Sequence, residues 1–210
     1  MLSTLPLPVL ARLVDPAPAQ AACTDAQALA FRAMLLVYVG HVGGRWTPYD
    51  AHYLPGSQTP VTRISEPANY RDNPDDPTDR SVVCAEIPCT VGDRLWGAGD
   101  GALADLVAEA ITTTGLPPLR RTSVRVRRLP HVYPVYARGF ADRLAGLESW
   151  ARDLPSVTTL GRAGLFAHDN SHHAMVMALA AVDCLDADGG WDDAAWSAAR
   201  EGFRAHVVED

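Results

Sequence analysis

The chain has 210 residues, and 48% of them are hydrophobic, enough to bury the core of one large domain or slightly more. Its net charge of −7 argues against a nucleic-acid partner, because phosphate contacts need a basic face. All 18 basic side chains are arginine, which excludes a Schiff-base lysine and a Walker A loop.

The N-terminal stretch MLSTLPLPVLARLV has no basic region and carries two prolines, so no signal peptide is expected. Within it, Leu5–Leu13 reads as a strand end leading into a turn of helix, broken by Pro16 and Pro18. Leu29–Val42, rich in Val, Leu and Tyr, is predicted as a strand. Its longest apolar run, Ala33–Val39, is too short to span a bilayer, and a cytoplasmic location without a membrane partner is expected. His41–Tyr53 reads as loop, turning at Gly43 and Gly44, and Val61–Ser65 as a strand. Glu66–Arg80 is a polar loop rich in Pro, Asn and Asp, and Ser81–Ile87 a third strand. Asp100–Thr114 aligns Leu103, Leu106, Val107, Ala110 and Ile111 on one face, which predicts an amphipathic helix closed by Gly115 and Pro117. Ser123–Leu129 alternates apolar residues with arginines, as a half-exposed strand does. Phe140–Leu154 is predicted helical, Val157–Leu160 a short strand, Ser171–Leu185 a nearly uncharged and therefore mostly buried helix, and Trp191–Val208 a terminal helix. This mixed order gives an α/β or α+β layered fold.

Several clusters carry chemistry. Strand, glycine turn and helix follow one another through Gly161-Arg-Ala-Gly164 and Ser171, the order in which α/β folds present backbone N–H groups to a phosphate or an electron-rich ring. Gly97-Ala-Gly-Asp-Gly-Ala102 matches a degraded dinucleotide loop, but no strand leads into it, and Asp100 is better taken as a helix N-cap. His168 and His172 have i,i+4 spacing, yet Asn170 and Ser171 read as caps that start the helix after His168, so no metal site is expected. These histidines and His173 line a ligand cleft or face solvent. Cys23, Cys84, Cys89 and Cys184 form no CxxC pair and read as reduced thiols, with Cys84 a small core residue. Val124-Arg-Val-Arg-Arg128 is a solvated basic strip or a holder of an anionic substrate or acidic partner. No Gly-x-Ser-x-Gly elbow supports a serine nucleophile.

Six short motifs occur in a telling order. They are Ser3-Thr-Leu-Pro-Leu-Pro8, Arg63-Ile-Ser-Glu-Pro67, Glu86 with Gly92, Asp93 and Trp96, Val132-Tyr-Pro-Val-Tyr136, Gly161-Arg-Ala-Gly-Leu-Phe166, and Asn170 with Ala174. Together they resemble the C-terminal half of FAD-dependent oxidoreductases of the amine oxidase, protoporphyrinogen oxidase and UDP-galactopyranose mutase type. The resemblance implies a remnant strand and linker of the FAD domain over 1–19, a mixed β-sheet substrate-binding domain with covering helices over 20–155, and a strand-turn-helix remnant of the FAD-binding domain with a terminal helix over 156–210. It also implies that Gly161, Arg162, Gly164, Phe166 and Asn170 occupy cofactor-binding positions. His172, His173, Tyr133 and Arg63 are the candidate catalytic groups. Three positions depart from the family's pattern: Asp169 replaces a neutral residue, His172 an acidic one and Ala178 a glycine. The family's N-terminal unit with GxGxxG is not among these residues.

The resemblance therefore implies one half of a split or truncated flavoenzyme acting on a small organic metabolite, with FAD held only together with a dinucleotide-binding partner chain. The alternatives are a flavin-free cyclase or isomerase using the inherited cavity, and a non-catalytic ligand-binding or scaffold subunit, either of them as a homo-oligomer.

Overall fold

The computed structural model describes residues 1–71 and 73–208. In chain order the elements are β1 (Leu2–Ser3), α1 (Leu7–Leu13), α2 (Gln20–Ala28), β2 (Phe31–Val42), β3 (Ala51–Tyr53), β4 (Arg63–Ser65), β5 (Arg80–Cys89), α3 (Asp100–Thr113) and β6 (Arg121–Pro134). Then come α4 (Phe140–Arg152), β7 (Thr158–Thr159), α5 (Gly161–Gly164), α6 (Ser171–Asp183) and α7 (Asp193–Phe203). The mixed α/β class read from the sequence holds, with one parallel and one antiparallel set of strand pairs. By their contacts the residues form two compact units, Met1–Phe31 with Tyr133–Asp210, and Arg32–Val132.

The unit Arg32–Val132 is built on a sheet in the order β3-β4-β5-β2-β6. β2 and β5 pair antiparallel over ten residues, from Ala33 opposite Cys89 to Val42 opposite Arg80. Residues of period two share one face of a strand. Ala33, Leu35, Val37 and Val39 accordingly join Val83, Ala85 and Ile87 in a core closed by Leu103, Val107, Ala110 and Ile111 of α3. Cys84 is buried here, and burial with the nearby Glu86 charge pushes its thiol up to about 11. All four cysteines are free.

The other unit packs α1, α2 and α4 around Leu7, Leu10, Ala22, Ala26, Leu147, Ala151 and Phe166. A second, smaller core joins Leu160, Ala181, Cys184 and Trp196 where α6 meets α7. Its only strands among the described residues are β1 and β7, paired parallel with Leu2 opposite Thr158 and Ser3 opposite Thr159.

Five expectations are corrected. Leu5–Leu13, expected as a strand end leading into a turn of helix, has no strand and is helix from Leu7 to Leu13, because Pro6 serves as N-cap and Pro8 lies in the first turn, where a missing N–H costs nothing. Ala51–Tyr53, expected as loop, is an edge strand too short to show alternation. Asp100 is the first helical residue of α3 and makes no cap hydrogen bond; Gly99 is the N-cap, and Asp100 sits 3.6 Å from Arg128. Most consequential, α6 is not mostly buried: Met175 is 65% exposed, Val176 48%, Leu179 65% and Val182 60%. The terminal helix is also shorter than 191–208: it runs from Asp193 to Phe203, and the Asp192 carboxylate, accepting from the Ala194 and Ala195 N–H groups, fixes its start. No helix of the described residues is long and apolar enough to cross a membrane.

Candidate functional site

The site grows from the strand-turn-helix at 158–173. After β7 the chain turns at Gly161, whose φ of +75° is disfavoured for any residue with a Cβ. Gly164 lies against β1: a Cβ there would sit 3.1 Å from the Ser3 carbonyl oxygen. The two glycines thus let the turn rest directly on the neighbouring strand.

Phe166 closes the turn in a left-handed conformation, φ +50°, that a side-chain-bearing residue adopts only when its surroundings hold it. Its ring is fully buried and meets Phe31 edge to face, with centroids 4.9 Å apart. The Tyr136 hydroxyl fastens the backbone on both sides, donating to the Phe166 carbonyl at 3.3 Å and accepting from the His168 N–H at 2.8 Å. Burial pushes the Tyr136 phenol above its ordinary range, so the hydroxyl keeps the proton it donates. The Tyr136→Phe variant removes both bonds and is expected to lose about 1–2 kcal/mol. Chemical denaturation checks this, and an unchanged midpoint would contradict the role given to the hydroxyl.

Arg162 lays its guanidinium 4.3 Å from the centre of the Tyr133 ring, a cation–π contact, and Tyr133 meets His168 edge to face at 5.3 Å. Asn170 is the N-cap of α6, as the sequence indicated. Its side chain accepts from the His173 N–H, while His173 Nδ1 accepts from the Asn170 N–H at 3.1 Å. This is a capping box with histidine where glutamate or glutamine is usual. His172 is exposed, its ring 4.0 Å from that of His173.

Six of the residues singled out from sequence, Tyr133, Arg162, Phe166, Asn170, His172 and His173, are thus gathered with Gly161 and Gly164 in one unit. Arg63 belongs to the other unit. There its Nε donates to Glu86 at 3.1 Å, with a second, shorter contact through Nη2. Desolvation opposes its charge, but hydrogen bonds to Glu86 and Tyr53 outweigh it and hold the guanidinium firmly protonated.

His206 had no signal in the sequence, since it meets its partner across 37 residues. Its Nδ1 lies 3.3 Å from the buried Asp169 carboxylate, and its ring stacks on His173 with centroids 4.3 Å apart and planes 11° from parallel. Asp169, His173 and His206 place donor atoms within 4.8 Å of one another, a spacing a metal could use. The hydrogen bonds argue otherwise. In neutral His173 the Nδ1 lone pair accepts a backbone N–H, which leaves the proton on Nε2 and offers a metal no lone pair. Nearly parallel rings, moreover, cannot both aim in-plane lone pairs at one ion between them. The trio is held by the Asp169–His206 hydrogen bond and the stacking of His173 on His206.

The turn and the α6 N-terminus could hold the ring-side part of a flavin. The adenosine half has no such place among the described residues: Gly97–Ala102 follows a turn rather than a strand, and Asp100 sets a carboxylate in the first turn of α3.

No protein-family model matches the chain, and no curated protein matches it. Solved structures do. Reduced UDP-galactopyranose mutase superposes on 87% of this chain and 40% of its own length, with a TM-score of 0.71 and 16% identity. A protein described as a protoporphyrinogen oxidase from Exiguobacterium sp. 255-15 covers 77% of this chain and 36% of its own, with a TM-score of 0.55 and 20% identity. A putrescine oxidase redesigned in its cofactor binding covers 76% and 36%, with a TM-score of 0.51 and 11% identity. The likeness is one of fold, to part of FAD-dependent oxidoreductases, and the chain spans two fifths or less of their length.

Proposed function

We propose that this chain is the substrate-binding and ring-side half of an FAD-dependent oxidoreductase of the amine oxidase type, acting on a small organic metabolite, and that a separate dinucleotide-binding chain completes it. The uncovered face of α6 carries this reading. From Ala174 to Val182 the helix has no charged residue, and Met175, Val176, Leu179 and Val182 face outward. A helix apolar all round belongs in an interior. Parallel strands, likewise, are normally covered on both faces and come in larger sheets, yet among the described residues β1 and β7 form a pair alone. A partner contributing parallel strands and helices would supply both missing neighbours, and the solved structures of this fold are more than twice as long as their matched parts.

In the complete enzyme Gly161 and Gly164 let the backbone approach the cofactor, Arg162, Phe166 and Asn170 shape and hold that turn, and His173 acts through the cap it forms. Bound flavin would accept the electrons of the substrate. Tyr133 and His172 would orient the substrate and exchange its protons. The Asp169–His206 contact favours a second reading, a flavin-free cyclase or isomerase, because a buried carboxylate beside the turn disfavours an anionic diphosphate. In that case the chain alone turns over its substrate.

The test replaces Met175 and Leu179 by glutamate. Both are exposed, so the free chain should keep its circular dichroism and its stability within about 0.5 kcal/mol. Assembly with a co-expressed chain bearing strand–GxGxxG–helix should weaken about a hundredfold or more, as expected for two buried apolar side chains lost. Unchanged assembly would show that α6 is not the contact. Self-association of the wild-type chain, abolished by the same variant, would identify a second copy as the cover instead.

A further inference from the structure

The unit Met1–Phe31 with Tyr133–Asp210 contains a cavity of about 490 Å3 that the proposed flavin chemistry does not use. It lies among α4, α7 and the turn after Leu165, within the size range of sites for small organic molecules. Tyr136, Phe140, Leu144, Phe166 and Phe203 give it an apolar, largely aromatic wall, and His206 is the polar group that decides what can enter.

The charged groups along the wall are already partnered. Arg200 donates to Glu148 at 2.9 Å, Arg204 to Glu201 at 2.9 Å, and Asp169 is held by His206. The Tyr136 hydroxyl uses its proton on the Phe166 carbonyl. His206 is different. A carboxylate only accepts, so the nitrogen facing Asp169, Nδ1, carries the proton, and the lone pair is on Nε2. Among the described residues Nε2 takes no hydrogen bond, while stacking on His173 fixes the plane of the ring. The cavity therefore offers flat apolar walls and, besides the carboxylates on its rim, one imidazole acceptor of fixed tautomer.

We infer that this cavity is a binding site for a neutral, planar aromatic molecule bearing one O–H or N–H donor, of the phenol or indole class, with the donor on His206 Nε2. A carboxylate-bearing ligand is disfavoured, since Asp169 and Glu148 both line the site and the arginines are committed. This inference stands apart from the proposed flavoenzyme role and does not need a partner chain.

Calorimetric titration of the full chain with phenol, with toluene as its donorless counterpart and with benzoate tests it. Phenol should bind saturably, toluene about tenfold more weakly for want of one hydrogen bond, and benzoate more weakly than phenol. The His206→Phe variant keeps a stacked ring without the acceptor and should bring phenol down to the affinity of toluene. The Leu144→Trp variant fills the cavity and should abolish binding of all three. Equal affinity for phenol and toluene, no saturable binding, or phenol affinity unchanged in His206→Phe would overturn the inference. The wild-type comparison of phenol with toluene decides it even if a variant does not fold.

Discussion

Phe166→Ala is expected to lower the stability of its unit by about 3–5 kcal/mol, the range for removing a buried aromatic ring. The ring is 1% exposed and packs against Phe31, Phe140 and Tyr136. Its loss opens a cavity among Phe31 at the start of β2, Phe140 on α4 and Tyr136, which its hydrogen bonds hold in place, so collapse cannot readily fill it. The backbone adds a sharper expectation. In an ordinary conformation glycine is less stable than alanine, but at a φ of +50° the order reverses, because alanine keeps the clash that glycine lacks. Phe166→Gly should therefore be no worse than Phe166→Ala. Denaturation followed by the fluorescence of Trp150, Trp191 and Trp196, all in this unit, measures both. A loss under about 1 kcal/mol for Phe166→Ala would mean that the turn is not anchored by this ring.

The second large effect falls in the other unit. Glu66 is 1% exposed, and the bonds found for its carboxylate come from N–H groups. Oε1 accepts from the Trp46 N–H at 2.9 Å, and Oε2 from the Thr47 N–H at 3.1 Å and more distantly from Asn69 Nδ2 at 3.4 Å. Asn69 in turn donates to the Thr47 and Tyr49 carbonyls. Hydrogen bonds to a buried charge are the strong ones, and a donor left facing another donor bears its full desolvation cost. Glu66→Gln keeps the shape but turns an NH2 group toward these donors, so a loss of about 3 kcal/mol is expected. Trp46 donates its backbone N–H to the carboxylate and reports the change directly. An amide variant as stable as the wild type would show that the segment from Trp46 to Asn69 is held by its packing and not by the carboxylate.

What the sequence made legible was local. β2 and β5 carry apolar stretches with several Val and Ile, and α3 carries a complete apolar face, so each announces itself within one window. Asn170 marked the start of α6 because a cap is a property of neighbouring residues. The order of short motifs pointed to the fold that the solved structures share with this chain. α2 escaped because Ala, Gln and Thr give it no clear apolar stripe, and β3 because three residues show no period. The Tyr136 fastening, the Glu66 carboxylate and the Asp169–His206 contact span 20 to 37 residues and depend on tertiary approach. The exposure of α6 was misjudged for a physical reason: lack of charge says that a surface is made to be covered, not that this chain covers it.

The visible absorption of the purified protein decides whether a partner chain completes the flavin site. Prepared alone, the chain is expected to be colourless. Purified with a partner carrying strand–GxGxxG–helix, it is expected to show a flavin spectrum at one flavin per pair of chains, as the proposed split enzyme requires. A flavin spectrum from this chain by itself, or a colourless chain that turns over its substrate without any partner, would contradict it.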